Sequence, residues 1–321
     1  MTYPVLVTGG CGFVGRHLVN RLLSEGKHVI VVDNLYTGLH PSKWIPKEFE
    51  KNMEFIFSDV RDFFRSYNDE KFSDVFHLSA VVGGRIKIDK DPISVAMDLS
   101  IDSEFFNWLV KSKPERSLYA SSSAAYPVSL QGKENKILLS EEMINFEGSL
   151  GSPDMTYGWS KLTGEYLARL ASKFYDIHVS CIRPFSGFGE DQDPSYPVPA
   201  IGKRAVNKED PLIVWGSGKQ SRDFVYIEDC IDAMLLTIQK ISDGSAVNIS
   251  SGKLTSFIDV AKIFAEIAGY DPKIQTDQNM PEGVYARHGD VKNSKAILGW
   301  QPKTELKEGL KIVYDHLKTL Q

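Results

Sequence analysis

Short apolar runs alternate with longer amphipathic segments through the first half of the 321-residue chain: runs at 4–8, 29–33, 53–58, 75–79 and 117–121, and helical periodicity over 14–25 and 93–111. A short run that is apolar throughout, or nearly so, is buried on both faces, and parallel strands joined by helical crossovers bury strands in that way. The pattern resumes with a helix over 159–174 and a strand at 178–182. The spacing predicts an α/β chain built on a doubly wound parallel sheet.

After Arg183-Pro184 the texture changes. Residues 186–199 are rich in proline, glycine, serine and acids, a composition suited to loops that face a ligand. Strand-like segments at 212–215 and 224–227 follow, then helices over 230–239, 257–268, 294–300 and 306–320. With 37 basic and 42 acidic side chains the formal charge is −5, which argues against a nucleic-acid-binding surface. Cys11, Cys181 and Cys230 are too far apart for a zinc site and odd in number, so neither a metal nor a disulfide framework is expected, and a reducing compartment is. No apolar stretch reaches membrane-spanning length, and the first strand follows Met-Thr-Tyr-Pro directly, so the expectation is a cytoplasmic protein away from membranes.

Between the first strand and the first helix stands Val5-Leu-Val-Thr-Gly-Gly-Cys-Gly-Phe-Val-Gly15. Gly9, Gly12 and Gly15, with Phe13 and Val14, would let backbone amides approach a pyrophosphate at the positive end of a helix, the Rossmann arrangement. The spacing is G-x-x-G-x-x-G rather than G-x-G-x-x-G, so alone it also fits a packing turn. Asp33 ends the next strand, 18 residues after Gly15, where a carboxylate can accept from both adenosine ribose hydroxyls and repel a 2′-phosphate. The following Asn34 and Leu35 bring no positive charge, so NAD is favoured over NADP. Asp59-Val60 closes the third strand, where it can meet an adenine edge or simply cap a helix.

Tyr157-Gly-Trp-Ser-Lys161 puts a phenol and an ammonium four apart, on one helical face. The ammonium and a positive nicotinamide ring both favour the phenolate that a general base needs.

With these motifs, His77-Leu-Ser79-Ala80, 121–126, Arg183-Pro184, 215–224 and Leu298-Gly-Trp-Gln-Pro302, the chain resembles the extended short-chain dehydrogenase/reductase family in its nucleotide-sugar epimerase, dehydratase and reductase branch. The resemblance implies a Rossmann domain over 1–184 with a chain return near 224–250, and a smaller nucleotide-sugar-binding domain from 185–223 and 251–321. It makes Ser122 the hydroxyl that bonds the reacting sugar oxygen, Tyr157 the proton acceptor and donor, and Lys161 the partner of the nicotinamide ribose. Ser79, Ala80 and Pro184 join the cofactor set, and Arg222 and Arg287 hold the substrate diphosphate. A homodimer through 93–113 and 157–174 is implied as well.

Relatives that work at C5 or C6 carry Asp-Glu directly after the catalytic Ser/Thr, or a cysteine two positions after it; here Ser123 and Ala124 stand there. A methyl group cannot move a proton, so chemistry confined to C4 is expected. Gly84 and its turn resemble GDP-fucose synthase, and 215–230 and 281–284 resemble GDP-mannose 3,5-epimerase, which leans the reading towards a GDP-linked sugar with UDP open. Ser186 replaces an asparagine that contacts substrate in many relatives, and Arg85 and Lys87 form either an exposed charged loop or a contact to an extra hydroxyl or negative group. His77 and Cys11 are expected as packing residues. The leading expectation is an NAD-dependent nucleotide-sugar 4-epimerase. The alternatives are a 4-dehydrogenase or 4-keto reductase, and, in another class, a non-catalytic NAD-binding regulator, which would commonly have lost the tyrosine or lysine.

Overall fold

The computed structural model describes residues 3–66, 71–134 and 137–321. In chain order the first half runs β1 (Val5–Thr8), α1 (Phe13–Ser24), β2 (Val29–Asp33), β3 (Met53–Phe57), α2 (Val60–Ser66), β4 (Asp74–His77), α3 (Arg85–Lys90), α4 (Pro92–Val95), α5 (Met97–Ser112), β5 (Arg116–Ala120), α6 (Met155–Tyr175) and β6 (Val179–Pro184). The second half adds β7 (Ser186–Phe188), α7 (Pro197–Val206), β8 (Leu212–Trp215), β9 (Ser221–Arg222), β10 (Phe224–Tyr226), α8 (Ile227–Lys240), β11 (Asp243–Ile249), β12 (Thr255–Ser256), α9 (Phe257–Ala268), β13 (Ile274–Asp277), β14 (Ala286–Arg287) and α10 (Leu306–Thr319).

Seven strands form one parallel sheet in the order β11-β6-β5-β4-β1-β2-β3. Alternate residues of each strand serve opposite faces. Val5, Val7, Val29 and Val31 enter the cluster that also takes residues of α1 and α8. Leu6, Ile30, Val32 and Val75 enter the other, with residues of α2, α5 and α6. Strand order reverses between β1 and β4, and at such a switch point the loops leaving the carboxyl ends diverge and open a crevice. The turns after Thr8, Asp33, His77, Ala120 and Pro184 therefore share one edge of the molecule.

Some elements were not visible in the pattern. β11 reads Asp-Gly-Ser-Ala-Val-Asn-Ile, with Gly244 at φ +76° and a register shift between Asp243 and Ala246, so its apolar run is broken by the bulge. The helices α2 and α3 are too short for a 3.6-residue period to show. The segment expected to be irregular pairs β7 with β10 at its start and enters α7 at Pro197, leaving 189–196 as the loop. The expected helix over 294–300 is a π-helical turn, Ser294–Leu298.

The smaller unit consists of the three-strand sheet β12-β9-β14, the pair β13-β8, and α7, α9 and α10. No helix among the described residues is long and apolar enough to cross a membrane.

Candidate active site

The β1–α1 turn is shaped by absent side chains. A Cβ at Gly15 would stand 2.3 Å from the Gly9 carbonyl oxygen, and one at Gly9, which has φ +71°, would stand 2.8 Å from the Ser79 nitrogen. Gly12 caps α1 without a side-chain hydrogen bond, and the first turn, which holds Phe13 and Val14, has no acid. Its amides are left for an anion, as a pyrophosphate requires.

Asp33 accepts from the Leu35 amide at 2.7 Å and the Cys11 amide at 3.0 Å, one bond per carboxylate oxygen, which leaves each oxygen a lone pair for a ribose hydroxyl. Burial raises its pKa, opposed by those two bonds and by Arg16. The Arg16 guanidinium is itself held by Asp191 at 2.8 Å and the Cys11 carbonyl at 2.8 Å. Asn34 is exposed and turns its carbonyl to the Tyr36 amide. Asp59 takes the capping role, accepting from the Arg61 amide at 2.9 Å and from its guanidinium at 2.7 Å, while Val60 is buried at the start of α2. Ser79, Ala80 and Pro184 stand half-buried beyond β4 and at the end of β6. This cradle fits a dinucleotide with a free 2′-hydroxyl.

Tyr157 and Lys161 lie in the first turns of α6, with Lys161 Nζ 5.9 Å from the Tyr157 ring centre and 5.2 Å from that of Tyr119. Gly164 makes room for Tyr119, whose hydroxyl would stand 2.1 Å from a Cβ there. Burial pulls the Lys161 pKa down, but Asp102, Asp98 and Tyr157 outweigh it and leave the ammonium favoured. Ser122 is half-buried at the end of β5, its Oγ accepting from the Ala124 amide at 3.1 Å, so its hydroxyl proton remains available to a ligand. Ser123 and Ala124 are buried beside it. Cys11 is buried at the glycine turn, and burial, then Asp33, pushes its thiol up to about 12. His77 stacks on Phe105 with ring centres 4.0 Å apart.

Arg222 and Arg287 are register partners on β9 and β14. Arg287 is held by Asp154 at 2.9 Å and Gln131 at 2.5 Å. Arg222 bonds only carbonyl oxygens, of Ser221 at 2.9 Å and Glu282 at 3.5 Å, and no carboxylate pairs with it among the described residues. Burial, then the neighbouring Arg287, lowers its pKa to about 9. A partly buried guanidinium without a counter-charge is suited to a ligand phosphate.

Arg85 is half-buried and ion-paired rather than an exposed loop charge. Its guanidinium spans Asp89 at 2.9 Å and Asp154 at 2.8 Å, and Lys87 pairs with Asp91 at 2.9 Å. Burial opposes the charge on Asp154, yet Arg287 and Arg85 together hold its carboxyl below the ordinary value. A Cβ on Gly84 would stand 2.9 Å from the Ser195 carbonyl oxygen, which places this turn against the 189–196 loop. Ser186 is half-buried in β7, its amide donating to the Asp223 carbonyl at 2.9 Å.

Asp98, Asp154 and Gln131 were not marked by sequence. Each matters through partners distant in the chain: Arg287 is 133 residues from Asp154 and 156 from Gln131.

Residues 5–250 match the family described as NAD dependent epimerase/dehydratase. A Methanocaldococcus jannaschii protein provisionally named UDP-glucose 4-epimerase is 31% identical, with 98% of each chain covered. The structure of Thermotoga maritima UDP-glucose 4-epimerase with UDP-glucose superimposes with a TM-score of 0.85 at 27% identity, covering 99% of this chain and 100% of that one. A Bacillus cereus UDP-glucuronic acid 4-epimerase variant, solved with UDP-4-deoxy-4-fluoro-glucuronic acid and NAD, gives 0.84 at 25% identity, covering 99% and 100%. The cofactor is NAD, which the cradle around Asp33 accommodates. By its match over most of its length, the chain belongs to the NAD-dependent epimerase/dehydratase family.

Proposed function

We propose that the protein is a nucleotide-sugar 4-epimerase. The observation that carries this reading is the content of the turn after β5. It offers the Ser122 hydroxyl on a turn packed against the first turn of α6, which carries Tyr157 and Lys161, and beside it only the buried Ser123 and Ala124, neither of which can take a carbon-bound proton at neutral pH.

Arg222 and Arg287 hold the diphosphate of the substrate, and the Ser122 hydroxyl donates to O4. Tyr157 takes the O4 proton, with the Lys161 ammonium stabilising the phenolate. NAD, when bound, supplies the acceptor and then the donor of the C4 hydride. The 4-keto sugar turns within the pocket, and Tyr157 returns its proton to the epimeric oxygen. The relatives that hold UDP-sugars support a UDP-linked substrate as the first to test, ahead of the GDP-linked one that segment resemblance favoured.

The test is to incubate the holoenzyme with UDP-glucose and, separately, GDP-mannose, following NADH absorbance and the sugar by NMR. The 4-epimer of one of them with no net NADH is expected. Stoichiometric free NADH with a 4-keto product would make the protein a dehydrogenase, and binding without turnover of any nucleotide sugar would make it a regulator. We take the assembly to be a homodimer through α5 and α6, since Met97, Leu99, Trp159, Tyr166 and Phe174 are exposed there; a monomeric mass in solution would reject this.

A further inference from the structure

Behind Lys161 the chain buries two carboxylates, and they are differently served. Asp102 accepts from the Tyr119 hydroxyl at 2.6 Å and from His77 Nε2 at 3.3 Å. His77 Nδ1 lies 2.8 Å from the Thr8 hydroxyl, so these partners assign the ring proton to Nε2. Burial holds the His77 pKa down, against the pull of Asp102. Asp98, one turn earlier on α5, is wholly buried. Its Oδ1 accepts from the Val81 amide at 2.5 Å, and its Oδ2 has no hydrogen-bond partner.

Lys161 lies over the Tyr119 ring at 5.2 Å, and Tyr119 bonds Asp102, so the ammonium shares this buried cluster with both carboxylates without pairing with either. A buried carboxylate with a bare oxygen is unfavourable unless a positive charge compensates it. Lys161 opposes that cost through space without pairing with either carboxylate, and the Val81 bond ties Asp98 to the segment that follows Ser79 and Ala80 on the cofactor side. The oxidised cofactor carries a cationic ring and the reduced cofactor does not.

We propose that Asp98, a second buried carboxylate with one bare oxygen and no cation of its own, weights the site towards oxidised over reduced NAD. The inference rests on the assignment of Lys161 to the nicotinamide ribose. It explains how an epimerase avoids resting with its cofactor trapped as NADH after an occasional loss of the keto sugar.

The experiment equilibrates the holoenzyme with excess mixtures of NAD and NADH at fixed ratios and reads the bound NADH fluorescence after desalting. Asp98→Asn keeps the acceptor for Val81 and removes the charge, and should raise the bound NADH-to-NAD ratio on the order of tenfold. Asp98→Glu should stay near wild type. An unchanged ratio in Asp98→Asn, with Lys161→Met binding NAD more weakly, overturns the inference alone. Unchanged NAD affinity in Lys161→Met overturns the Lys161 assignment and the inference with it. Should Asp98→Asn fail to fold, wild type gives the same answer. Burial, opposed by Lys161, pushes the Asp98 carboxyl up to about 6, and the charged and titratable groups around it are Lys161 on α6, Asp102 on α5 and Tyr119 on β5. The preference for oxidised cofactor should fall as pH drops through about 6; a flat ratio there overturns the proposal.

Discussion

Gly158 lies so close to Ala124 that a Cβ at this position would stand 2.4 Å from the Ala124 carbonyl oxygen, the same oxygen that accepts the Asp154 amide at 3.0 Å. The first turn of α6 is thereby seated on the turn that carries Ser122, and the place of Tyr157 relative to Ser122 depends on a missing methyl group. Gly158→Ala should force the two apart. Displacements of this size at a reacting centre cost on the order of 10²-fold in rate, so kcat should fall by about that factor while NAD still copurifies. A wild-type kcat would show that the seating does not set the catalytic geometry.

Tyr157→Phe keeps the ring against Lys161 and removes the proton-transfer group. Turnover should drop by about 10²–10⁴ or more, with nucleotide-sugar affinity by calorimetry nearly unchanged. Near-normal kcat would transfer the role of base to another residue, Ser122 first.

Arg222 should behave in opposite ways towards ligand and fold. Its charge is partly buried with carbonyl partners only, so Arg222→Met removes a desolvation cost and should hold or raise the melting temperature. The same change removes a charge-assisted phosphate contact and should weaken substrate binding by roughly 2–3 kcal/mol. An unchanged KM would place Arg222 outside the site.

His17 on α1 bonds Glu228 at 2.9 Å and Asp191 at 3.3 Å, and so ties α1 to α8 and to the 189–196 loop. Burial lowers its pKa, but the hydrogen bonds of Asp191 and Glu228 outweigh this and raise it from 6.5 to about 9. A raised folded-state pKa contributes stability that is complete below about 6.5 and is lost as pH climbs through about 9. The melting-temperature gap between wild type and His17→Gln should be widest below that window and close above it. A gap independent of pH would show that the charge on His17 contributes nothing.

In D₂O the carbon-bound hydrogens of the sugar should stay unexchanged through many turnovers, because hydride return is internal and Ala124 stands where a base would be needed. NMR is the measurement. Deuterium at C3 or C5 on the turnover timescale would end the 4-epimerase reading and direct attention to the 189–196 loop.

The sequence by itself determined the parallel sheet and most of its strands, because burial on both faces forces continuous apolar runs, as in Val5–Thr8 and Val29–Asp33. It also determined the glycine turn, Asp33 and the Tyr157/Lys161 pair, since each depends on spacing within one or two neighbouring elements. Only the tertiary structure decided what surrounds them. Arg85 and Arg287 meet on Asp154 across 69 and 133 residues, Arg222 is left without a carboxylate by the strands on either side, and Asp98 is buried with one oxygen bare. Charge balance in a buried site is a property of distances between segments far apart in the chain. A linear reading sees which groups are charged, and the packing decides which of them remain unpaired.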